Sequence, residues 1–242
     1  MSNENNQGWH RRVLEPNAGL FAALTTVCIA IGGLIEIVPL FTLGVGEPEA
    51  LAIVQPYTPL EVAGRDIYTR EGCYHCHSQM VRPFRDETLR YGKWSRSEEY
   101  QWDRPFMFGS RRIGPDLHRI GGKYPDAWHY EHMRDPRATT PGSVMPPYPW
   151  LLEWKVDPAD IQASVKTLNM LGTPYDAAAL EQTGSVMQRQ ADEIVSRLAE
   201  TGIEGVTWDT EIVALIAFLQ RLGTSRDLLD GGDEQAALEV TE

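Results

Sequence analysis

Two cysteines and a histidine in the first third of the chain have the spacing that attaches a haem. Residues 73–77 read CYHCH and fit Cys-x-x-Cys-His, the attachment motif of c-type haem. The thiols of Cys73 and Cys76 can reach the two vinyl groups of the porphyrin, and His77 can then ligate the iron. A structural zinc site would need a second cysteine or histidine pair, and a redox dithiol would need a βαβ context. The motif therefore predicts one covalently bound haem c.

A second axial ligand must come from farther along the chain. The candidates are Met80, Met107, Met133, Met145, His118, His129 and His132. Met80 is too close to the motif to reach the opposite haem face, and the i, i+3 pair of histidines is more simply explained as part of a packed helix. Met145 lies in a proline-rich loop, residues 143–149 (SVMPPYP), and prolines hold a loop rigid at little entropic cost. We therefore predict Met145 as the second axial ligand. His/Met ligation also gives a higher reduction potential than ligation by two histidines.

The histidine ligand needs a partner for its other ring nitrogen. A metal-bound histidine usually donates that N–H to a carbonyl or carboxylate, which fixes the ring orientation. Residues 114–117 (GPDL) form a turn signal downstream of the motif. We predict that the carbonyl of Pro115 accepts the hydrogen bond from His77.

An apolar segment near the N-terminus is long enough to cross a bilayer. No residue from Ala18 to Ile35 is charged, and at about 1.5 Å per residue this stretch covers roughly 27 Å of a ~30 Å hydrocarbon core. The run is longer than the apolar part of a secretory signal, although a cleaved signal or a buried core helix are the alternatives. Arg11 and Arg12 precede it, which predicts a cytoplasmic N-terminus. Glu36 would face a partner helix or the outer interface.

Composition limits the function further. The net charge of −12 argues against a nucleic-acid partner, because an acidic chain repels the phosphate backbone. Three cysteines, two of them in the haem motif, exclude a disulfide scaffold.

Helical patterns dominate the rest of the chain, and no alternating strand pattern is present. Thr58-Pro59-Leu60-Glu61 is a capping box that predicts a helix to about Arg70. Further helices are predicted at 126–134, from Asp157 onward, at 176–200 and at 210–222, with a loop-rich stretch from 82 to 122. The predicted fold is mainly α, with a single transmembrane helix followed by a helical haem domain with inserted loops, a domain that the resemblance described next identifies as class I cytochrome c-like. The predicted divisions are a cytoplasmic N-terminus (1–17), the anchor (18–45), a linker (46–57), the exported mono-haem domain (58–224) and an acidic tail (225–242).

Several blocks of sequence resemble known families. The haem motif, the GPDL turn, the Met-Pro loop and the C-terminal AFLQRLG are similar to class I cytochrome c, where Gly64 and Ala217-Phe218 would mark the crossing of the terminal helices. A closer resemblance covers nearly the whole chain and is to the mono-haem cytochrome c subunit (subunit II) of cbb3-type cytochrome c oxidases. The blocks that carry it are 73–86 (CYHCHSQMVRPFRD), 104–106 (RPF), 109–112 (GSRR), 121–124 (GGKY), 134–137 (RDPR) and 145–151.

This resemblance implies an electron relay in a bacterial inner membrane, with the haem domain in the periplasm. Electrons would come from a di-haem cytochrome c subunit, itself supplied by a soluble or membrane cytochrome c. They would pass to the membrane-embedded catalytic subunit, where oxygen is reduced to water. The resemblance also implies a calcium ion at the subunit interface, near Gly109 and Ser110.

Two other functions compete with this interpretation. A free membrane-anchored mono-haem carrier would have a flexible linker, whereas the stretch 44–57 is short and contains two prolines. A haem sensor or peroxidase would need an open axial position, which Met145 argues against. The arginines at 82, 85, 111 and 112 are candidates for haem propionates or neighbouring subunits, and equally for solvated surface.

Overall fold

The computed structural model describes residues 8–42 and 54–225, which belong to two compact units, Met1–Glu47 and Pro48–Glu242. Both units are helical. Among the described residues there is no β-strand beyond an isolated antiparallel bridge between Lys155 and Thr210. The mainly α prediction is confirmed. Most of the predicted linker and the tail beyond Ser225 lie outside the described residues.

The first unit contains a short helix, α1 (Trp9–Val13), and a long one, α2 (Ala18–Thr42). Asn17 caps α2 by accepting a hydrogen bond from the backbone N–H of Leu20 at 3.1 Å. Residues Ala18–Val38 have a mean hydropathy of 2.2, are long and apolar enough to cross a membrane, and are not buried by the described chain. That exposure contradicts the core-helix alternative. The last three residues of the predicted anchor, 43–45, lie outside the described ranges.

The second unit is built from eight α-helices among its described residues, joined by loops and three 3₁₀ turns. The helices are α3 (Pro59–Arg70), α4 (Arg85–Tyr91), α5 (Asp126–Arg134), α6 (Pro136–Thr139), α7 (Pro158–Met170), α8 (Ala177–Glu181), α9 (Thr183–Glu200) and α10 (Glu211–Arg221). The 3₁₀ turns are Cys73–His75, Ser97–Tyr100 and Pro149–Leu152.

The capping signals placed several helix ends correctly. The side chain of Thr58 accepts from the backbone N–H of Glu61, whose carboxylate accepts from the N–H of Thr58 at 2.8 Å. Asp157 caps α7 through the N–H of Ala159 at 2.8 Å. The 82–122 stretch is loop-rich as predicted, but it also contains α4, which the sequence did not predict. The single helix predicted at 176–200 was wrong in one respect, because it is divided at Gln182, where φ is −117° and ψ is 34°.

The core lies where α3 crosses α10, with α9 packed beside them. A Cβ on Gly64 would lie 2.0 Å from the carbonyl oxygen of Ala214 and 2.7 Å from Cβ of Phe218, so only glycine permits this approach. Every residue of α10 from Glu211 to Leu219 is buried. Helix α9 adds the buried side chains of Met187, Ala191, Ile194 and Leu198. The crossing holds α3 rigidly in place. The haem motif begins three residues after the end of α3.

Candidate haem site

The haem motif lies on a tight turn directly after α3. Gly72, with φ of +72°, ends the helix and begins the 3₁₀ turn Cys73–His75. The carbonyl of Cys73 accepts hydrogen bonds from the N–H groups of Cys76 at 3.2 Å and His77 at 3.0 Å. Neither cysteine is in a disulfide. Cys73 is half-buried and Cys76 is exposed. Two free thiols and a histidine are thus held within a single turn.

The ring of His77 is fixed from two directions. Its Nδ1 lies 2.8 Å from the carbonyl oxygen of Pro115, the pair that the sequence predicted. Because a carbonyl can only accept, Nδ1 carries the proton and Nε2 keeps a lone pair suited to a metal ion. A Cβ on Gly114 would lie 2.2 Å from Cε1 of His77, so the glycine lets the turn press against the ring. Burial lowers the pKa of His77, although the Pro115 carbonyl acts in the opposite direction.

Hydrogen bonds join the segment after the motif to the turn that carries Pro115. The N–H of Gly114 donates to the carbonyl of Cys76 at 3.0 Å, and the N–H of Leu117 donates to the carbonyl of Ser78 at 2.8 Å. The Asp116 carboxylate accepts from the hydroxyl of Ser78 at 2.6 Å and from the N–H of Met80 at 2.8 Å. We call these two stretches, residues 76–80 and 112–118, the paired segments.

An ion cluster lies against the paired segments. The carboxylate of Glu87 on α4 is 3% exposed and accepts from Arg112 Nη2 at 2.7 Å. It also pairs with the guanidinium of Arg82 and accepts from the Arg82 N–H at 2.9 Å. The hydrogen bond from Arg112 is the largest cause that lowers the pKa of Glu87, to about 2. Arg82 and Arg112 are therefore engaged with Glu87, while Arg85 and Arg111 are exposed.

The loop that contains Met145 lies beside the turn formed by residues 73–77, which we call the attachment turn. Met145 is half-buried against the core, and its N–H donates to the hydroxyl of Ser143 at 3.2 Å. Burial, followed by the neighbouring thiols of Cys73 and Cys76, raises the pKa of Tyr148. The Tyr148 N–H donates to the carbonyl of Met133 on α5 at 2.8 Å. The loop is thus anchored to α5 with Tyr148 close to both cysteines.

The other candidate ligands have different surroundings. His118 is buried, with Nε2 3.0 Å from the Glu99 carboxylate. His129 is 1% exposed and packs edge-on against Trp128, and His132 Nδ1 lies 2.6 Å from the hydroxyl of Thr139. Within the described residues, no group of three or more histidine, cysteine or acidic residues could hold a metal ion.

Gly109 packs on the attachment turn. Its φ is +63°, and a Cβ there would lie 2.8 Å from the carbonyl oxygens of Tyr74 and His77. Close backbone approach therefore explains this glycine without a metal ion. Ser110 beside it is exposed.

The residues present fit a haem held through thioethers. Free thiols lie one turn apart and the adjacent imidazole has its Nδ1–H engaged. Tyr74, Met145 and Tyr148 are partly buried against the same hydrophobic core as Cys73. The sequence did not identify Glu87 as part of this region. An acid in the first turn of a helix is ordinary, so no local signal distinguishes a buried one.

Taken together, an apolar N-terminal helix and a helical domain with a Cys-x-x-Cys-His turn define a class, the membrane-anchored mono-haem cytochromes. A family model described as cytochrome c oxidase, mono-haem subunit/FixO, matches residues 11–226. The chain therefore belongs to this family, and it is a one-haem subunit of an oxidoreductase complex. No curated protein matches the chain.

Proposed function

We propose that this subunit relays single electrons through one haem c bound covalently by Cys73 and Cys76, with His77 and Met145 as axial ligands. The observation that carries the proposal is the 2.8 Å contact between His77 Nδ1 and the Pro115 carbonyl on the Cys-x-x-Cys-His turn. A histidine that donates through Nδ1 offers Nε2 to iron in a fixed orientation. A disordered Cys-x-x-Cys pair would have no need for this arrangement, and a structural zinc site would need a second cysteine or histidine pair.

In this proposal the chain contributes positioning and the haem contributes the one-electron chemistry. Cys73 and Cys76 would hold the haem through two thioether bonds. The Pro115 carbonyl orients the His77 ring and would raise its basicity as an iron ligand, and Met145 in the proline-rich loop would supply the second ligand. No bond of the chain is made or broken during transfer, so the potential and the orientation determine its performance.

The partners follow from the resemblance to cbb3-type oxidases. The donor is a di-haem cytochrome c subunit, supplied by a soluble or membrane cytochrome c. The acceptor is the membrane-embedded catalytic subunit that reduces oxygen to water. Arg11 and Arg12 before α2 favour a cytoplasmic N-terminus in a bacterial inner membrane, with the haem domain periplasmic. A free membrane-anchored carrier is the alternative.

An interface calcium remains part of the proposal. Calcium takes six to eight oxygen ligands, and Gly109 and Ser110 offer backbone carbonyls and one hydroxyl. A neighbouring subunit would therefore have to supply most of the coordination.

The deciding experiment is purification in mild detergent through a tag on this chain, followed by redox difference spectra and a pyridine haemochrome assay. We expect a c-type haem that stays on the denatured polypeptide, together with co-purifying b-type haem. A c-type spectrum from a single polypeptide would favour the free carrier. A chain without covalent haem would contradict the proposal.

A further inference from the structure

Arg112 lies at the junction of the two paired segments. Its Nε donates to the hydroxyl of Ser78 at 2.7 Å, and its Nη2 donates to the carbonyl of Met80 at 2.8 Å. Nη2 also lies 3.6 Å from the carboxylate of Asp116. One guanidinium therefore contacts the segment that follows His77 at two points while belonging to the other segment itself.

The guanidinium is in turn fixed by α4. Nη2 donates to the Glu87 carboxylate at 2.7 Å, and the guanidinium carbon lies 5.0 Å from the ring centre of Tyr91. The Arg112 side chain is 22% exposed and that of Glu87 only 3%. A partly buried, multiply bonded arginine has few alternative positions, because its planar fork matches its acceptors in one geometry.

The geometry of His77 depends on how the paired segments are aligned. Pro115 lies three residues after Arg112, and Ser78 directly follows His77. A small slip of one segment along the other would lengthen the 2.8 Å contact between Nδ1 and the Pro115 carbonyl. The side chains of Arg112 and Asp116 both form hydrogen bonds across this junction, in each case with the hydroxyl of Ser78.

We propose that Arg112, anchored by Glu87, is a positioning residue for His77: it fixes the alignment of the paired segments, and through the Pro115 carbonyl it sets the orientation and basicity of the imidazole. This inference rests on the proposed function, because it treats His77 as the haem ligand. Arg112 touches neither the ligand ring nor the iron in this scheme. Its effect passes through the backbone of both segments.

The test compares Arg112→Lys with Arg82→Lys in the full, haem-loaded subunit. Lysine keeps the positive charge at 112 but cannot reach Ser78, Met80 and Glu87 in one geometry. Arg82 pairs with the same carboxylate, yet its side chain is 52% exposed and has no hydrogen bond to the paired segments. It therefore controls for the loss of the Glu87 ion pair alone. The readouts are the midpoint potential, the hyperfine-shifted imidazole resonances of the oxidised protein and the thermal midpoint.

For R112K we expect a higher midpoint potential and displaced imidazole resonances. A weaker N–H···O=C bond makes the imidazole less basic, and this disfavours the oxidised iron. For R82K we expect wild-type values of both, even where its thermal midpoint falls. R112K values equal to wild type would overturn the proposal and leave Arg112 as a stabilising residue only. Equal shifts in both variants would overturn it as well, since the effect would then follow the Glu87 ion pair.

A second variant covers the case in which R112K does not accumulate. Ser78→Ala removes the hydroxyl that accepts from Arg112 and donates to Asp116, with no change of charge. We expect the same upward shift, and an unshifted potential would overturn the proposal. The failure of the proposed function is distinguishable, because wild-type protein would then show no covalent haem in the haemochrome assay.

Discussion

The helical core and the haem attachment region are stabilised in different ways. In α10 the nine consecutive buried residues from Glu211 to Leu219 include one charged side chain. In the attachment region, residues 72–122, the buried polar side chains outnumber the apolar ones by seven to three. They are Ser78, Gln79, Glu87, Glu99, Asp103, Asp116 and His118, against Val81, Tyr100 and Ile120.

The difference follows from what each region has to hold. Three helices bury apolar faces against one another, and the hydrophobic effect stabilises such packing without precise direction. Loops have backbone groups that need partners, and directional hydrogen bonds can fix a turn to within tenths of an ångström. The core is therefore expected to tolerate the loss of a polar contact, and the attachment region to tolerate the loss of apolar area. The predictions below test this contrast.

The largest effect is expected from Cys73→Ser combined with Cys76→Ser. Without thiols no thioether forms, so covalent haem should be lost completely, as judged by haem staining after denaturing electrophoresis. Amide exchange should then become much faster in residues 73–122 than in α10, because the core does not depend on the haem for its packing. Equal loss of protection in both regions would contradict the division.

The next effect is the disruption of the helix crossing by Gly64→Val. A Cβ at this position would lie 2.0 Å from the Ala214 carbonyl oxygen, and neither backbone can move freely. We expect the free energy of unfolding to fall by about 3 kcal/mol in urea titrations, the upper end of the usual cost of overpacking. Gly184→Ala in α9 is the matched control, because its Cβ would lie 3.4 Å from Pro158 Cβ. A loss in the control as large as that of Gly64→Val would rule out the crossing as the cause.

A smaller and more local effect is expected from Gly114→Ala. The added methyl would lie 2.2 Å from Cε1 of His77, so the ring or the turn must move. Disturbing such a partner of a metal ligand typically costs about 10–100-fold in metal affinity. A high-spin fraction should appear in the visible spectrum, with little change in far-UV circular dichroism. Ile113→Ala, at a neighbouring side chain that is 62% exposed, should leave the low-spin spectrum intact.

The smallest effect is a change in acid stability from Glu87→Gln. The pKa of Glu87 falls from 4.5 to about 2 on folding, chiefly through the hydrogen bond from Arg112. A lowered carboxyl pKa stabilises the fold above pH 4.5, and the stabilisation disappears as the pH falls towards 2. Unfolding free energies measured across that window should therefore depend less on pH in the variant. Part of the pH dependence of the unfolding free energy should remain in the variant, because Glu99 also titrates in this range. Burial acts to raise its pKa, but His118 and Arg119 outweigh burial and hold it at about 2. A slope equal to that of wild type would mean that Glu87 is not charged in the fold.

Local signals in the sequence predicted most of the helices, the haem motif and the Pro115 turn, but not the ion cluster around Glu87. Thr58 and Asp157 marked helix starts because capping is a contact between near neighbours. The periodicity of Ile212, Leu215, Ile216 and Leu219 marked α10 because an apolar face repeats along one element. Helix α4 was missed, since its buried residue is the charged Glu87 and no apolar stripe marks it.

The sequence by itself determined the haem motif, the apolar anchor helix, the starts of the capped helices and the turn that carries Pro115, because each of these depends on residues a few positions apart. Only the tertiary structure decided that Glu87 is buried, that Arg82 and Arg112 share its carboxylate, and that Arg112 bonds to Ser78 across 34 positions of chain. The physical reason is that a charged side chain has the same local pattern whether it faces water or a partner. Its partner becomes known only when distant segments are brought together.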